Sequence, residues 1–189
     1  IRYASELLRR YPDNLFVYRS LPDRLQKVFK SSMPPREVPA VYVPMRAQLT
    51  AFAEKYPESC GLQWDRAYMH QMIASYVRGT RTLDRMPSGQ MEIFQQEART
   101  AYDQMTVLAR KYPDYAHLQR AYTYYMTFGG GVGKKELKDH IEHVAKLDPR
   151  AVEPELEAAV WHSIGYGQGI DYIRFIDGAL KRHRGDVPA

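Results

Sequence analysis

The alternation of apolar and polar positions along the chain predicts helices. The pattern is clearest from Ser88 to Tyr112, where apolar residues recur at alternating spacings of three and four. This spacing places them on one stripe of a helix, with polar side chains on the other faces. The stripe consists of Met91, Phe94, Ala98, Ala101, Met105, Leu108 and Tyr112. Ser88 is suited to cap the start of this helix, and Pro113 stops it because proline disfavours helical geometry at the preceding residue.

Further helices are predicted on both sides of this segment. Pro44 is expected to open a helix, since proline fits a first turn, and Gly79 is expected to cap the end of another. The prolines within residues 33–39 indicate an extended connector, and the β-like patch Val41–Val43 is too short to imply a sheet. The predicted helices span residues 22–30, 44–55, 61–78, 88–112, 115–128, 134–147, 153–164 and 170–182.

The chain is therefore expected to be all-α, with about seven or eight helices. The predicted organisation has three parts. Residues 1–43 form an irregular N-terminal segment with one or two short helices, residues 44–184 form a helical domain, and residues 185–189 form a tail.

A short phrase recurs where predicted helices end. It reads Arg10-Tyr11-Pro12-Asp13, then Lys55-Tyr56-Pro57-Glu58, then Lys111-Tyr112-Pro113-Asp114, and finally Leu147-Asp148-Pro149. The successive prolines are 45, 56 and 36 residues apart, and the last distance is close to the period of a two-helix repeat. The unequal spacing predicts an irregular array of antiparallel helix pairs.

Parts of this pattern resemble the tetratricopeptide (TPR) helical-repeat superfamily. The stretch Ile141–Pro149 is similar to the end of the second helix of a TPR, and Ala101 matches its small residue. The Trp and Leu-Gly signature of the first TPR helix is missing from residues 118–128, and Val144 replaces a small residue. The resemblance implies a TPR-like α-solenoid. Residues 61–182 are also similar to an uncharacterised bacterial helical domain family, which brings no known activity.

Charge and cysteine content narrow the alternatives only a little. The formal charge is +5, spread thinly except for a cluster at Lys181, Arg182 and Arg184, and it suits an acidic protein, nucleic acid or an anionic surface. Cys60 is the single cysteine, so no intramolecular disulfide forms. No apolar run approaches the roughly 20 residues of a membrane span. Because the chain begins at Ile1 rather than Met, a signal or anchor removed upstream is compatible with it, and we expect a cytoplasmic or periplasmic protein.

Three motifs invite a catalytic or ligand-binding interpretation, and each lacks a required part. The glycine-rich stretch 128–135 has Phe128 where a phosphate loop needs glycine and Lys135 where it needs Ser or Thr. His140 and His143 share a helix face, but a zinc site needs three or four ligands, so we expect solvated surface there. Cys60 has no histidine near it in the sequence. The prediction is no catalytic residue, no metal and no cofactor.

The tyrosines, 15 in number, offer the best candidate for a partner-binding surface. Tyr122 and Tyr125 share a helix face, and aromatic residues on the concave face of a helical array are typical anchors for a peptide. With Arg120 and Trp161 they make the predicted partner-binding set. The favoured interpretation of these aromatic residues is nevertheless that they pack the helix pairs together, and full burial of Tyr122 and Tyr125 would exclude a binding groove at these positions.

These observations favour a non-enzymatic protein–protein interaction module, of adaptor, scaffold or immunity type, with a protein or peptide partner. The alternative is a nucleic-acid-binding helical repeat, which basic charge and many tyrosines allow but which lacks a periodic basic stripe. A hydrolase centred on His140 is a third hypothesis. It requires that His140→Ala abolish an activity or release a metal, and we expect neither.

Overall fold

The described part of the protein is helical throughout. A computed structural model describes residues 38–79, 83–128 and 132–149, together with Asp177 and Lys181, and these residues include no strand. Their helices are α1 (Val38–Lys55), α2 (Cys60–Arg78), α3 (Ser88–Lys111), α4 (Ala116–Phe128) and α5 (Lys134–Leu147). A 3-10 turn, Leu83–Arg85, lies between α2 and α3. The predicted all-α class is confirmed, whereas the helices predicted at 22–30 and 153–164 and most of 170–182 lie outside the described residues, so the total of seven or eight stays a prediction.

The chain divides into two compact units, and the division falls within α3. The first unit comprises residues 1–81 and 85–104, and the second comprises residues 82–84 and 105–189. In the first unit α1 packs against α2, and in the second unit α4 packs against α5. The connections within both pairs are short, which makes packed neighbours antiparallel.

The core of each unit follows the predicted helix faces. On α3, the predicted stripe is buried at Phe94, Ala98, Ala101, Met105 and Leu108, while Met91 and Tyr112 at its two ends are half-buried. Other fully or almost fully buried apolar side chains of the first unit are Met45, Leu49, Ala53, Leu62, Ala67, Met69, Met72 and Ala74. In the second unit they include Leu118, Met126, Leu137, Ile141 and Val144.

The start of α1 corrects one prediction. The helix begins at Val38, so Pro44 lies inside it, and the β-like residues Val41–Val43 are helical. Pro39, rather than Pro44, occupies the first turn, where a missing N–H costs nothing. Pro44 costs one helical hydrogen bond. Met45 and Leu49, which follow it in the helix, are completely buried, and their packing offsets that loss.

The recurring Tyr-Pro phrase ends two of the described helices in the same way. α1 ends at Lys55 and α3 ends at Lys111, each immediately before the phrase's tyrosine. The backbone N–H of that tyrosine donates to the carbonyl four residues earlier, at 3.0 Å for Tyr56 and 3.1 Å for Tyr112. The turn then closes when the N–H of the third residue after the tyrosine donates to the tyrosine carbonyl, at 3.0 Å for Ser59 and 3.3 Å for Tyr115.

α2 begins and ends with recognisable caps. The Ser59 hydroxyl accepts from the backbone N–H of Leu62 at 3.4 Å. At the other end, Gly79 adopts φ +60° and its N–H donates to the Ser75 carbonyl at 3.0 Å, which confirms the predicted cap. Among the described helices, none is long and apolar enough to cross a bilayer.

The core assignment predicts a sharp contrast between two apolar positions of the second unit. The Leu118 side chain is fully buried, whereas Val107 is 69% exposed. Leu118→Ala should lower the free energy of unfolding by about 2–5 kcal/mol, because it opens a cavity in the core. Val107→Ala should change it by less than about 0.5 kcal/mol. Urea unfolding followed by circular dichroism measures both, and similar losses for the two variants would contradict the assignment.

Candidate functional site

The predicted partner-binding tyrosines are buried in the second unit. Tyr122 is 7% exposed and Tyr125 is 4% exposed. Arg120 lies on the same helix, α4, and its side chain is 30% exposed and ion-paired with Asp148 at 3.3 Å. Trp161 lies outside the described residues. The burial of the two tyrosines favours the packing interpretation, and partner contact through this set stays a prediction.

Tyr122 connects three helices of the second unit. Its hydroxyl is 2.8 Å from the Thr106 hydroxyl on α3, so the polar tip of a buried ring has a hydrogen-bond partner. Its ring lies edge-on to the His140 imidazole of α5, with centroids 5.1 Å apart. Nearby on α4, Tyr124 stacks on Phe128, with centroids 5.3 Å apart. The Tyr122 contacts therefore join α4 to α3 and α5, whereas the stack of Tyr124 on Phe128 lies within α4.

The two histidines of α5 lie against backbone carbonyls. The expectation of solvated surface is wrong for His140, which is part-buried, whereas the contact of His143 is exposed. His140 Nε2 lies 3.0 Å from the Gln119 carbonyl oxygen, and His143 Nε2 lies 2.9 Å from the Pro113 carbonyl oxygen. A carbonyl only accepts, so each Nε2 carries the proton and has no lone pair for a metal ion. The described residues also contain no group of three or more side chains arranged to hold a metal.

The environment of His140 disfavours its charged form. Burial lowers the pKa of its imidazole below the ordinary value, and the nearby His143 lowers it further, while the hydrogen bond to Gln119 acts in the opposite direction. A neutral imidazole that donates from Nε2 to a carbonyl is suited to join α5 to α4. This geometry gives His140 a structural role.

Gln119 is the residue on which these contacts converge, and the sequence analysis missed it. Its side chain is buried, and its Nε2 donates to the carbonyls of Ala109 at 2.8 Å and Tyr112 at 2.9 Å. Both carbonyls lie at the end of α3. One buried side-chain amide therefore donates to two backbone acceptors there, while the backbone carbonyl of Gln119 accepts from His140.

A charged cluster in the first unit was also missed. Glu97 of α3 accepts from Arg46 Nη1 of α1 at 2.5 Å and from His70 Nδ1 of α2 at 2.6 Å. The side chains of Glu97 and His70 are each 14% exposed. Each of three helices contributes one member, so this cluster (Arg46, His70 and Glu97) joins them through a single carboxylate. Arg46 lies 51 residues and His70 lies 27 residues before Glu97 in the sequence, which is why no local pattern indicates the cluster.

The surroundings of Glu97 keep its carboxylate ionised. Burial alone would raise the pKa of this carboxyl, but the hydrogen bonds from His70 and Arg46 and their charges outweigh burial and hold the pKa below its ordinary value. The arrangement stabilises helix packing as long as the carboxylate carries its charge.

Comparisons with known proteins add little to this picture. No protein-family profile matches the chain, and no curated protein matches it. Among solved structures, the chain is similar to the crystal structure of YrrB, described as "a TPR protein with an unusual peptide-binding site". The similarity covers 97% of this chain and 93% of that one, at 8% sequence identity and a TM-score of 0.34. YrrB belongs to the class that the sequence resembles, but a TM-score this low carries no argument about the site.

The lowered pKa of Glu97 predicts a pH-dependent effect of Glu97→Gln. A group whose pKa is lower in the folded protein stabilises the fold above its unfolded value, about 4.5, and loses this effect as the pH falls through the folded value. Glu97→Gln should therefore lower the free energy of unfolding by about 1–3 kcal/mol at pH 7. The difference from wild type should narrow below pH 4.5.

The measurement is urea unfolding at a series of pH values from 7 to 3. The matched control is Glu92→Gln, an exposed position on the same helix, which should behave like wild type throughout. A Glu97→Gln difference that stays constant over this range would contradict the assignment of the stabilising charge to Glu97.

Proposed function

We propose that this chain is a non-enzymatic protein–protein interaction module, of adaptor, scaffold or immunity type, with a TPR-like α-solenoid architecture. The observation that carries the proposal is the pairing of consecutive helices within each unit, α1 with α2 and α4 with α5. Helix pairs of this kind present extended surfaces suited to peptides or partner domains. One architecture can host many functions, so the test has to identify the partner directly.

The roles of the polar side chains support binding rather than catalysis. His140 and His143, which the hydrolase hypothesis needs, use their Nε2 atoms to hold backbone carbonyls. Glu97 accepts hydrogen bonds from Arg46 and His70, which lie on two other helices. These groups serve helix packing, and a partner surface has to come from other side chains.

Exposed apolar side chains supply candidates for that surface. Among the described residues the large ones are Val43, Tyr56, Ile93, Val107 and Tyr115. Single exposed apolar residues are common on any protein, so variants must decide which of them contact a partner. Of the set predicted from sequence, Arg120 retains partial exposure, and the contributions of Tyr122, Tyr125 and Trp161 remain predictions.

The distribution of charge favours a protein partner over nucleic acid. Exposed basic residues of the described helices include Arg99, which pairs with Asp103 at 3.1 Å, and Lys138, which pairs with Glu142 at 3.7 Å, each one helical turn away. Such pairs neutralise the basic face locally, whereas a phosphate backbone attracts an uninterrupted basic surface. Binding to nucleic acid stays the alternative.

The experiment is affinity capture of the full chain from lysate of its own source, treated with nuclease and washed at increasing salt. We expect one stoichiometric protein partner, identified by mass spectrometry, to survive both treatments. Only nucleic-acid-dependent material, lost steeply as salt rises, would replace the proposal with the alternative.

Variants then locate the surface once a partner is in hand. Val107→Glu and Arg120→Ala should each weaken binding by about tenfold or more if these residues contact the partner. Gln96→Glu is the matched control, since it adds the same charge as Val107→Glu at another exposed position of α3. Equal affinities for Val107→Glu, Arg120→Ala and the control would exclude this surface, provided that all three variants unfold at the wild-type temperature.

A further inference from the structure

Two segments of the chain, 56 residues apart, share more than the Tyr-Pro phrase. Residues 48–63 and 104–119 are identical at 8 of 16 aligned positions. The identical pairs are Gln48 and Gln104, Thr50 and Thr106, Ala53 and Ala109, Lys55 and Lys111, Tyr56 and Tyr112, Pro57 and Pro113, Leu62 and Leu118, and Gln63 and Gln119. Each segment covers the end of one helix, the turn, and the first turn of the next helix.

The proline of each segment leaves one backbone carbonyl without its usual helical donor. In a helix, the carbonyl of Ala53 would accept from the N–H of residue 57, but proline has no N–H. The same applies to the carbonyl of Ala109 and residue 113. Ala53 and Ala109 are themselves buried, and a buried backbone acceptor needs another donor because leaving it unsatisfied costs stability.

The glutamine of each segment supplies that donor. Gln63 Nε2 donates to the Ala53 carbonyl at 2.8 Å, and Gln119 Nε2 donates to the Ala109 carbonyl at 2.8 Å. Both glutamines occupy the same register in the next helix, with backbone N–H groups that donate to the carbonyls of Ser59 at 3.1 Å and Tyr115 at 3.0 Å. The two segments thus agree in sequence, in backbone geometry and in this side-chain contact.

We propose that residues 48–63 and 104–119 are two copies of one helix–turn–helix unit, in which the proline and the glutamine act as a pair. The proline ends the first helix and exposes one carbonyl, and the glutamine of the second helix covers it. Because the glutamine belongs to one helix and its acceptor to the other, the hydrogen bond sets how the second helix leaves the turn. Gln63 and Gln119 are therefore positioning residues of the fold, whatever the partner is.

The pair distinguishes these two turns from the other two places where the phrase occurs. Six residues after Pro12 the chain has Tyr18, and six residues after Pro149 it has Glu155. An ionised carboxylate has no hydrogen to donate, so Glu155 cannot replace glutamine in this role. The internal period of the chain is then 56 residues, between Pro57 and Pro113, rather than the 36 residues that separate the last two prolines.

The two copies differ in how much they depend on the glutamine. Gln119 is 3% exposed and also donates to the Tyr112 carbonyl at 2.9 Å, whereas Gln63 is half-buried and donates to Ala53. Removing the side-chain donor should therefore lower the Tm more in the second copy than in the first. The first copy, with one acceptor, gives the simpler test of the pairing with proline.

A double-mutant cycle on the full chain tests the pairing. Gln63→Met keeps the size of the side chain and removes the donor, and it should lower the Tm by about 4 °C or more. Pro57→Ala restores a backbone N–H that can serve the Ala53 carbonyl. In the Pro57→Ala background, Gln63→Met should therefore lower the Tm by less than half as much.

The matched control is the crossed cycle, Pro113→Ala with Gln63→Met, whose effects should add because the two changes belong to different copies. The second copy is tested with Pro113→Ala and Gln119→Met, where the coupling should be smaller because Pro113→Ala does not replace the hydrogen bond from Gln119 to the Tyr112 carbonyl. Coupling that is equal in the matched and crossed cycles would overturn the proposal, as would a Gln63→Met variant with the wild-type Tm. If Gln119→Met does not fold, the Gln63 cycles decide the question by themselves.

Discussion

A proline that ends a helix removes the hydrogen-bond donor of one backbone carbonyl, and the two described Tyr-Pro turns are organised around that deficit. In the second unit, the Gln119 side chain donates to the Ala109 carbonyl of α3. The backbone carbonyl of Gln119 accepts from His140 Nε2, which ties α5 to the same turn. His143 holds the carbonyl of Pro113. The turn between α3 and α4 is thereby also the surface on which α5 docks. The buried Tyr122 ring, packed against His140, closes the same junction.

The first unit relies on a charge in addition to its own glutamine. Glu97 joins α1, α2 and α3 through Arg46 and His70, and this arrangement tolerates burial because both side chains donate hydrogen bonds to the carboxylate. In both units the side chains that look most like catalytic or metal-binding groups have structural partners. Exposed apolar positions such as Val107 and Tyr115 are candidates for the surface of the proposed partner contact.

Much of the fold follows from local sequence rules, and the exceptions have physical causes. The buried stripe of α3 is predicted correctly because its regular spacing continues over a long run. The cap at Gly79 is predicted correctly because glycine readily adopts the positive φ that this helix end requires. The predicted start of α1 at Pro44 is wrong because packing of Met45 and Leu49 outweighs the preference of proline for the first turn of a helix. Helical spacing shows that Tyr122 and Tyr125 share a face but not which helices cover that face, so the sequence favours packing without making the contacts to Thr106 and His140 predictable. Glu97 and His70 are too far apart in sequence for any local signal, whereas Gln63 and Gln119 do carry one: both stand six residues after a Tyr-Pro turn.

The most direct test of the account observes the glutamine side chains themselves. Hydrogen exchange of side-chain amide protons, measured by NMR on 15N-labelled protein, reports whether each carboxamide is held by a carbonyl. We expect the Gln119 amide protons, engaged by two carbonyls in a buried site, to exchange far more slowly than those of the exposed Gln95. One slowed proton is expected for Gln63. Exchange of Gln63 and Gln119 as fast as Gln95 would contradict the claim that these glutamines complete the helix ends.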